Sequence, residues 1–371
     1  MGSIEDFIDA KVLDPTFRAI GLGNAPYELS QTIFWGIASG VLFTIVLSTG
    51  GLFTLVFRRL FAFFTQRLGP NRVGPFGLFQ LVADGLKLVS KEDIVPRAAS
   101  KTLFRLAPYL AITPFVMAWA PIPFSNDLIL TNIGVGIIFV LAISALSPLA
   151  EITAGWASNN KYAIYGGVRA AALDFSYEIP MVISVVGVIM LAGSMSTIDI
   201  VNMQKGCLEF AAGGGCVRHG MWFIFPQILG AFIFFAAALA KAGLVPTDLP
   251  EAESELVAGY STEYSGMRFG FFYVVLFAQV FFISALITTL YLGGWLGPFG
   301  SPSEWYFKPL GDGALWFTVK TLLICFVIFW LWLTLPRVRI DQYLNFAWKI
   351  LFPLSLLNLV VAAVVRGYIL G

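Results

Sequence analysis

The chain has 371 residues, 58% of them hydrophobic and only 12% charged, with a net charge of +1 at pH 7. Soluble domains carry about 25% charged residues, so the charge is too sparse to wet a folded surface of this size and the apolar excess must face lipid. A balance this close to neutral offers nothing to a nucleic-acid backbone.

Eight apolar runs of spanning length follow one another, near 33–57, 103–124, 133–153, 179–198, 222–243, 269–293, 314–335 and 344–366. A crossing helix needs about 20 such residues, and alternation at period two is absent, so a barrel is not expected. The pattern predicts an all-α, polytopic integral membrane protein of about eight transmembrane helices, forming one membrane domain over 1–371. The first run lies too late and runs too long for a cleaved signal peptide, and Arg58–Arg59 are expected to stop it.

Basic residues choose sides. The connection at 58–102 holds Arg58, Arg59, Arg67, Arg72, Lys87, Lys91, Arg97 and Lys101, and those near 154–178, 241–268 and 336–343 add two each. The opposite set is poorer, so the large loops are expected on the cytoplasmic side and both termini outside. Long polar loops tend to carry function, which points to the cytoplasmic face.

In the first loop, Gln66-Arg67-Leu68-Gly69-Pro70-Asn71-Arg72-Val73-Gly74-Pro75 packs two Gly-Pro turns between arginines, a composition that fixes an irregular backbone. After it, Leu78, Phe79, Val82, Leu86 and Val89 fall on one helical stripe, with Gln80, Asp84 and Lys87 opposite. This predicts an amphipathic helix too short to span, lying in the interface plane. On spacing alone it is equally a connector resting on lipid.

Within the spans, Glu151, Lys241, Lys320 and Lys349 are ionisable, and such residues are functional candidates by default. Lys241 and Lys349 stand close enough to helix ends to snorkel. Asp248, Glu251, Glu253 and Glu255 fall within eight residues at a membrane edge. Asp248 fits the N-cap of a helix beginning near Leu249, and Glu251 the capping-box position. Like carboxylates held close in a low dielectric cannot all stay ionised, so the block either exchanges protons or is a solvated first turn matched to the helix dipole.

The redox inventory is thin. Cys207, Cys216 and Cys325 lack CxxC spacing, His219 is the only histidine, and an iron–sulfur cluster needs about four thiolates. No metal or cofactor is expected on this chain. Cys207, Cys216 and His219 share one loop, as a disulfide, a weak metal site or unrelated residues.

Three blocks carry a family resemblance: QRLGPNRVGPFG with ADGLKL; then Gly155-Trp156-Ala157-Ser158-Asn159-Asn160-Lys161-Tyr162 with Gly166-Gly167-Val168-Arg169-Ala170-Ala171-Ala172 and Ser176-Tyr177-Glu178; then Asp248-Leu249-Pro250-Glu251-Ala252-Glu253-Ser254-Glu255-Leu256-Val257-Ala258-Gly259-Tyr260 with Glu263-Tyr264-Ser265-Gly266. In this order, and spread over nearly the whole chain, they resemble the H-type subunit of respiratory complex I, the mitochondrial NADH dehydrogenase subunit 1 family. The resemblance implies a membrane anchor that is inactive alone. It would lie beneath iron–sulfur subunits of a peripheral arm and beside antiporter-like and small membrane subunits, in an energy-transducing membrane. It also implies a chamber where a quinone-type lipid carrier (ubiquinone, menaquinone, plastoquinone or methanophenazine) is reduced, with iron–sulfur clusters in the partners. Arg58, Gln66, Arg67, Arg72, Asp84 and Lys87 would line the carrier entrance or support it. Arg169 and Glu178 would stand where the chamber meets a polar path, and Asp248, Glu251, Glu253 and Glu255 would couple reduction to protons.

The sequence departs from the family pattern at Phe57 and Lys241, where a glutamate is usual, at Leu244 for an arginine, and at Leu173 for a glutamine, with Asp174 following. The usual proton path therefore cannot be carried over, and Glu151, Asp174 and Glu178 are the candidates to replace it. Such divergence suits NADH, reduced ferredoxin or the deazaflavin F420 as donor. A hydrogenase anchor without quinone is the alternative from the same superfamily. A free-standing transporter would show two related halves, and no repeat is seen.

Overall fold

The computed structural model describes residues 27–126, 128–205, 222–250, 252–297 and 313–370. Among them every regular element is helical. In chain order they are α1 Tyr27–Phe64, a 3-10 turn Pro75–Gly77, α2 Gln80–Ser90, α3 Lys101–Ala118, α4 Gly136–Ser144, α5 Ser147–Ala157, α6 Lys161–Ala192 and α7 Thr197–Lys205. There follow α8 Ile228–Lys241, α9 Glu253–Leu256, a 3-10 turn Gly259–Ser261, α10 Gly266–Tyr291, α11 Ala314–Thr334, α12 Ile340–Phe346, a π segment Ala347–Leu351 and α13 Phe352–Leu370.

Six stretches are long and apolar enough to cross a membrane: Ser39–Phe64, Gly136–Ala157, Lys161–Ala192, Gly266–Tyr291, Ala314–Thr334 and Ile340–Gly367. Ile228–Lys241 is apolar but shorter. The 18-residue α3 carries Lys101 and Arg105. The protein is thus a polytopic helical bundle whose crossings are less uniform than eight equal runs.

Four boundaries differ from expectation, each for a physical reason. Arg58–Arg59 do not stop α1, which continues to Phe64; arginine is a good helix former, so the pair marks a polarity change and not a helix end. The segment 154–178, expected as a loop, lies mostly inside α6, which starts at Lys161. Its charged residues lower the hydropathy but meet protein partners, so the helix continues. The run at 133–153 is broken between α4 and α5, where Pro148 sits at the start of α5 and has no N–H to donate backwards. Pro226 likewise precedes α8, which begins only at Ile228.

The core is an aromatic-rich centre. Phe53 packs on Phe281 and Phe329, and Trp119 stacks on Phe281. α10 is its axis, touching α1, α3, α8 and α11, while α6 is flanked by α5, α8 and α13. α1 and α10 cross closely, since a methyl at Gly50 would fall 2.5 Å from the Val274 carbonyl oxygen.

Candidate functional site

Two places gather the residues singled out from sequence. The first is the end of α1. The Arg67 N–H donates to Ala62 O at 2.9 Å and the Gln66 N–H to Phe63 O at 3.1 Å, a six-to-one and five-to-two closure that ends the helix. Gln66 is the left-handed residue of this stop, with φ 54°. The chain then turns back through Gly69–Pro70, leaving an open groove of about 290 Å³ between Phe57, Arg58, Phe61, Arg67 and the turn. The Arg67 guanidinium lies 4.8 Å from the Phe61 ring centre, within cation–π range.

Arg58 Nη1 donates to Asp84 Oδ2 at 2.6 Å, and Gln80 Nε2 donates to Asp84 Oδ1 at 3.0 Å. The polar side of α2 is therefore clasped to α1, so α2 is more than a connector resting on lipid. Its predicted stripe of Leu78, Phe79, Val82, Leu86 and Val89 is exposed, as an interfacial helix requires. Of the six predicted carrier residues, Arg58 and Arg67 line the groove and Asp84 holds Arg58. Gln66, Arg72 and Lys87 are exposed and outside its lining.

The second place is a partly enclosed cavity of about 60 Å³ lined by Glu151, Asp174, Lys241, Asp248, Ser147 and Gln279 among others. The α4–α5 break delivers Ser147 to it, and Ser144 stands beside Lys241. Ser147 Oγ donates to Asp174 Oδ2 at 3.1 Å. Lys241 Nζ donates to Glu178 Oε1 at 2.9 Å and to Ser144 Oγ at 3.2 Å, and Gln279 Nε2 donates to the Lys241 carbonyl at 3.2 Å. Lys241 does not snorkel: it is 8% exposed and ion-paired inside the bundle. Sequence alone hides this role, and those of Ser144, Ser147 and Gln279, because the partners lie far apart along the chain; Ser147-Pro148 is the one available sign of a helix break. Lys349 is exposed. Lys320 Nζ donates to Leu292 O at 2.7 Å and Leu296 O at 2.8 Å, closing the carbonyl end of α10.

The acidic block is not a capped helix from Leu249. The helix there is α9, whose N-cap Ala252 makes no side-chain cap bond. Asp248 instead accepts from Arg337 at 2.8 Å. Glu255 pairs with Arg169 across to α6, so these two carboxylates are drawn apart to separate arginines. Glu251 lies outside the described residues, as does the side chain of Glu253. The loop is pinned further by close backbone approach, because a methyl at Gly166 would meet Gly259 Cα and Tyr260 N, each at 2.6 Å. Asn160 accepts from the Tyr162 N–H and donates to Glu263. Next to it, Tyr264 stacks on Phe104 with ring centres 4.1 Å apart, and burial pushes its phenol above the usual range.

The family model described as NADH dehydrogenase matches residues 37–363. The chain is 45% identical over 347 residues to the H-type subunit of NADH-quinone oxidoreductase from Geobacillus thermodenitrificans, covering 93% of this chain and 98% of that protein. It is 44% identical over 323 residues to the protein of the same name from Dehalococcoides mccartyi, covering 87% of this chain and 84% of that one. The chain belongs to this NADH dehydrogenase family. It is therefore a membrane subunit of a multi-subunit oxidoreductase of the complex I type.

Within this family the departures acquire partners. Phe57 stacks on Trp332 at 4.1 Å between ring centres, which makes an aromatic seat beside Arg58. Lys241 pairs with Glu178. Leu173 and Leu244 are buried. Cys207, Cys216 and His219 lie outside the described residues.

Proposed function

We propose that this subunit forms the chamber in which a quinone-type lipid carrier is reduced, and that it couples the reduction to proton movement. The electrons come from iron–sulfur subunits docked over the first loop, which faces the cytoplasm in this reading, with both termini outside. NADH is the ultimate donor, as in the relatives' name, and further membrane subunits adjoin the bundle. The supporting observation is the groove at the end of α1, walled by Phe57 and Phe61 and edged by Arg58 and Arg67. Its rings suit an apolar tail and its guanidiniums a carbonyl head; apolar pockets with a few placed donors are what such ligands require. Reduction adds two electrons and then two protons to the two carbonyl oxygens. The arginines stabilise the developing charge without giving up their own protons.

The proton side is carried by Glu151, Asp174 and Glu178, and Asp248, Glu251, Glu253 and Glu255, with Arg169 of α6, couple it to the chamber. The test is Arg67→Ala in the assembled complex. A charged hydrogen bond is worth about 1.5–3 kcal/mol, so carrier-dependent turnover should fall about ten- to a hundredfold. Unchanged turnover and KM would remove Arg67, and the groove with it, from the chamber.

A further inference from the structure

The cavity holding Glu151, Asp174 and Asp248 has a neighbour. A second cavity, also of about 60 Å³, lies deeper in the bundle and is walled by apolar side chains such as Phe115, Leu141, Met181 and Ile283. Ala111, Ser147, Lys241, Val275 and Gln279 line both, so these five side chains stand in the partition between a carboxylate-rich space and an apolar one. A buried water occupies about 10–15 Å³ of such space, so each cavity has room for a few waters. Of the five partition residues only Lys241 is charged. Its ammonium is held on one side by Glu178 and on the other by Ser144.

Asp174 stands four residues before Glu178, one turn away on the same face of α6. Asp174 is held by Ser147 as Lys241 is held by Ser144. One ammonium thus has two buried carboxylates within its surroundings and sits on one of them. Further acidic groups facing it from neighbouring elements are Glu151 of α5 and Asp248 of the loop after α8.

We propose that Lys241 is a charge gate between the two cavities. With its ammonium on Glu178, a fixed positive charge stands in the partition, and protons do not pass; a cation placed in a narrow polar path excludes protons in just this way. A proton reaching Glu178 neutralises the carboxylate. The ammonium then moves to Asp174, keeping its own proton, and the partition opens between Ser144 and Gln279. The gate deepens the coupling role proposed above, but its barrier function exists without carrier or turnover, which makes it separately testable.

The experiment measures passive proton conductance of liposomes holding the intact complex, without electron donor, under a potassium-diffusion potential and with an internal pH dye. Lys241→Gln keeps a polar hydrogen-bonding side chain, one atom shorter, but removes the charge, and should raise conductance several-fold over wild type. Lys241→Arg should stay as tight as wild type. Where Lys241→Gln assembles poorly, Lys241→Gln with Glu178→Gln keeps the site neutral and should leak as well. Wild-type tightness in the assembled glutamine variants, or a leak of equal size in Lys241→Arg, would overturn the gate. Leaky Lys241→Gln together with unaffected Arg67→Ala would remove the chamber and leave the gate standing; the reverse pattern would remove only the gate.

Discussion

The ion pair of Lys241 with Glu178 offers a sharp energetic test. The ammonium side chain is 5% exposed and the carboxylate 14%, so neither reaches water freely. Lys241→Met takes away the ammonium and leaves Glu178 with no cation at 2.9 Å. Breaking a buried pair from one side costs about 3–5 kcal/mol, whereas replacing both charges by apolar groups is often neutral. The expected pattern is a large loss for Lys241→Met, a similar loss for Glu178→Leu, and near-wild-type stability for the double variant. Cys325 supplies the probe: it is buried at 2% exposure against Ser284 and becomes labelled only when the bundle opens. With Cys207 and Cys216 changed to serine, labelling of Cys325 in the assembled complex reads the opening equilibrium. A loss of 3–5 kcal/mol speeds labelling by roughly a hundred- to a few-thousand-fold, at about 1.4 kcal/mol per tenfold. Single variants that label like wild type, or a double variant worse than both singles, would show that the pair does not hold the helices as argued.

Gly166→Ala should cost about 1–3 kcal/mol by overpacking, because the new methyl meets backbone atoms at 2.6 Å that cannot rotate away. Limited proteolysis near 253–262 should then accelerate as the loop lifts off α6, and an unchanged cleavage pattern would contradict the close approach. Gln66→Gly removes a left-handed penalty of about 1 kcal/mol and should stabilise the end of α1 with carrier-dependent turnover unchanged, because Gln66 lies outside the groove lining. A fall in turnover would show that Gln66 does more than stop the helix.

Much of the bundle is readable in the sequence because lipid exposure leaves long apolar runs that no soluble helix needs. What hydropathy does not show is helix that carries charge. Lys161, Arg169, Asp174 and Glu178 make the first half of α6 look like a loop, yet Arg169 meets Glu255, Asp174 meets Ser147 and Glu178 meets Lys241. The same limit governs the site. Asp84 and Gln80 share a helical stripe at i, i+4, so their face is legible; the Arg58 partner, 26 residues away, is not. Lys241 has the look of a snorkelling residue because its partner lies 63 residues away. Asp248 has the sequence of an N-cap, but the chain beyond it is too irregular to offer a helix to cap, and Arg337 takes its carboxylate.

The groove is built on α1, which packs on α10 through Phe57 and Phe277, and the acidic cavity takes Phe272, Val275, Leu276 and Gln279 from α10, so the distance between them limits how they can communicate. One helix diameter is about 11 Å. At an effective dielectric of about 20, two added unit charges on a reduced carrier at that distance shift a proton site by about 3 kcal/mol, and by half that at twice the distance. Moving one charge against about 150 mV costs about 3.5 kcal/mol. The through-space field is therefore comparable to the work on one proton at closest placement and about half of it at twice the distance. Contacts supply a material link beside the field. Asp84 ties α2 to α1, and the chain after α2 joins the loop ahead of α10 through Ser265, which accepts from Ile94 N–H and donates to Glu92 O, each at 3.1 Å. That loop holds Arg169 through Glu255 and reaches the cavity through Asp248. A displacement at Arg58 thus has a route through α2, the two Ser265 hydrogen bonds and the intervening backbone to the loop that contributes Asp248 to the cavity lined by Lys241.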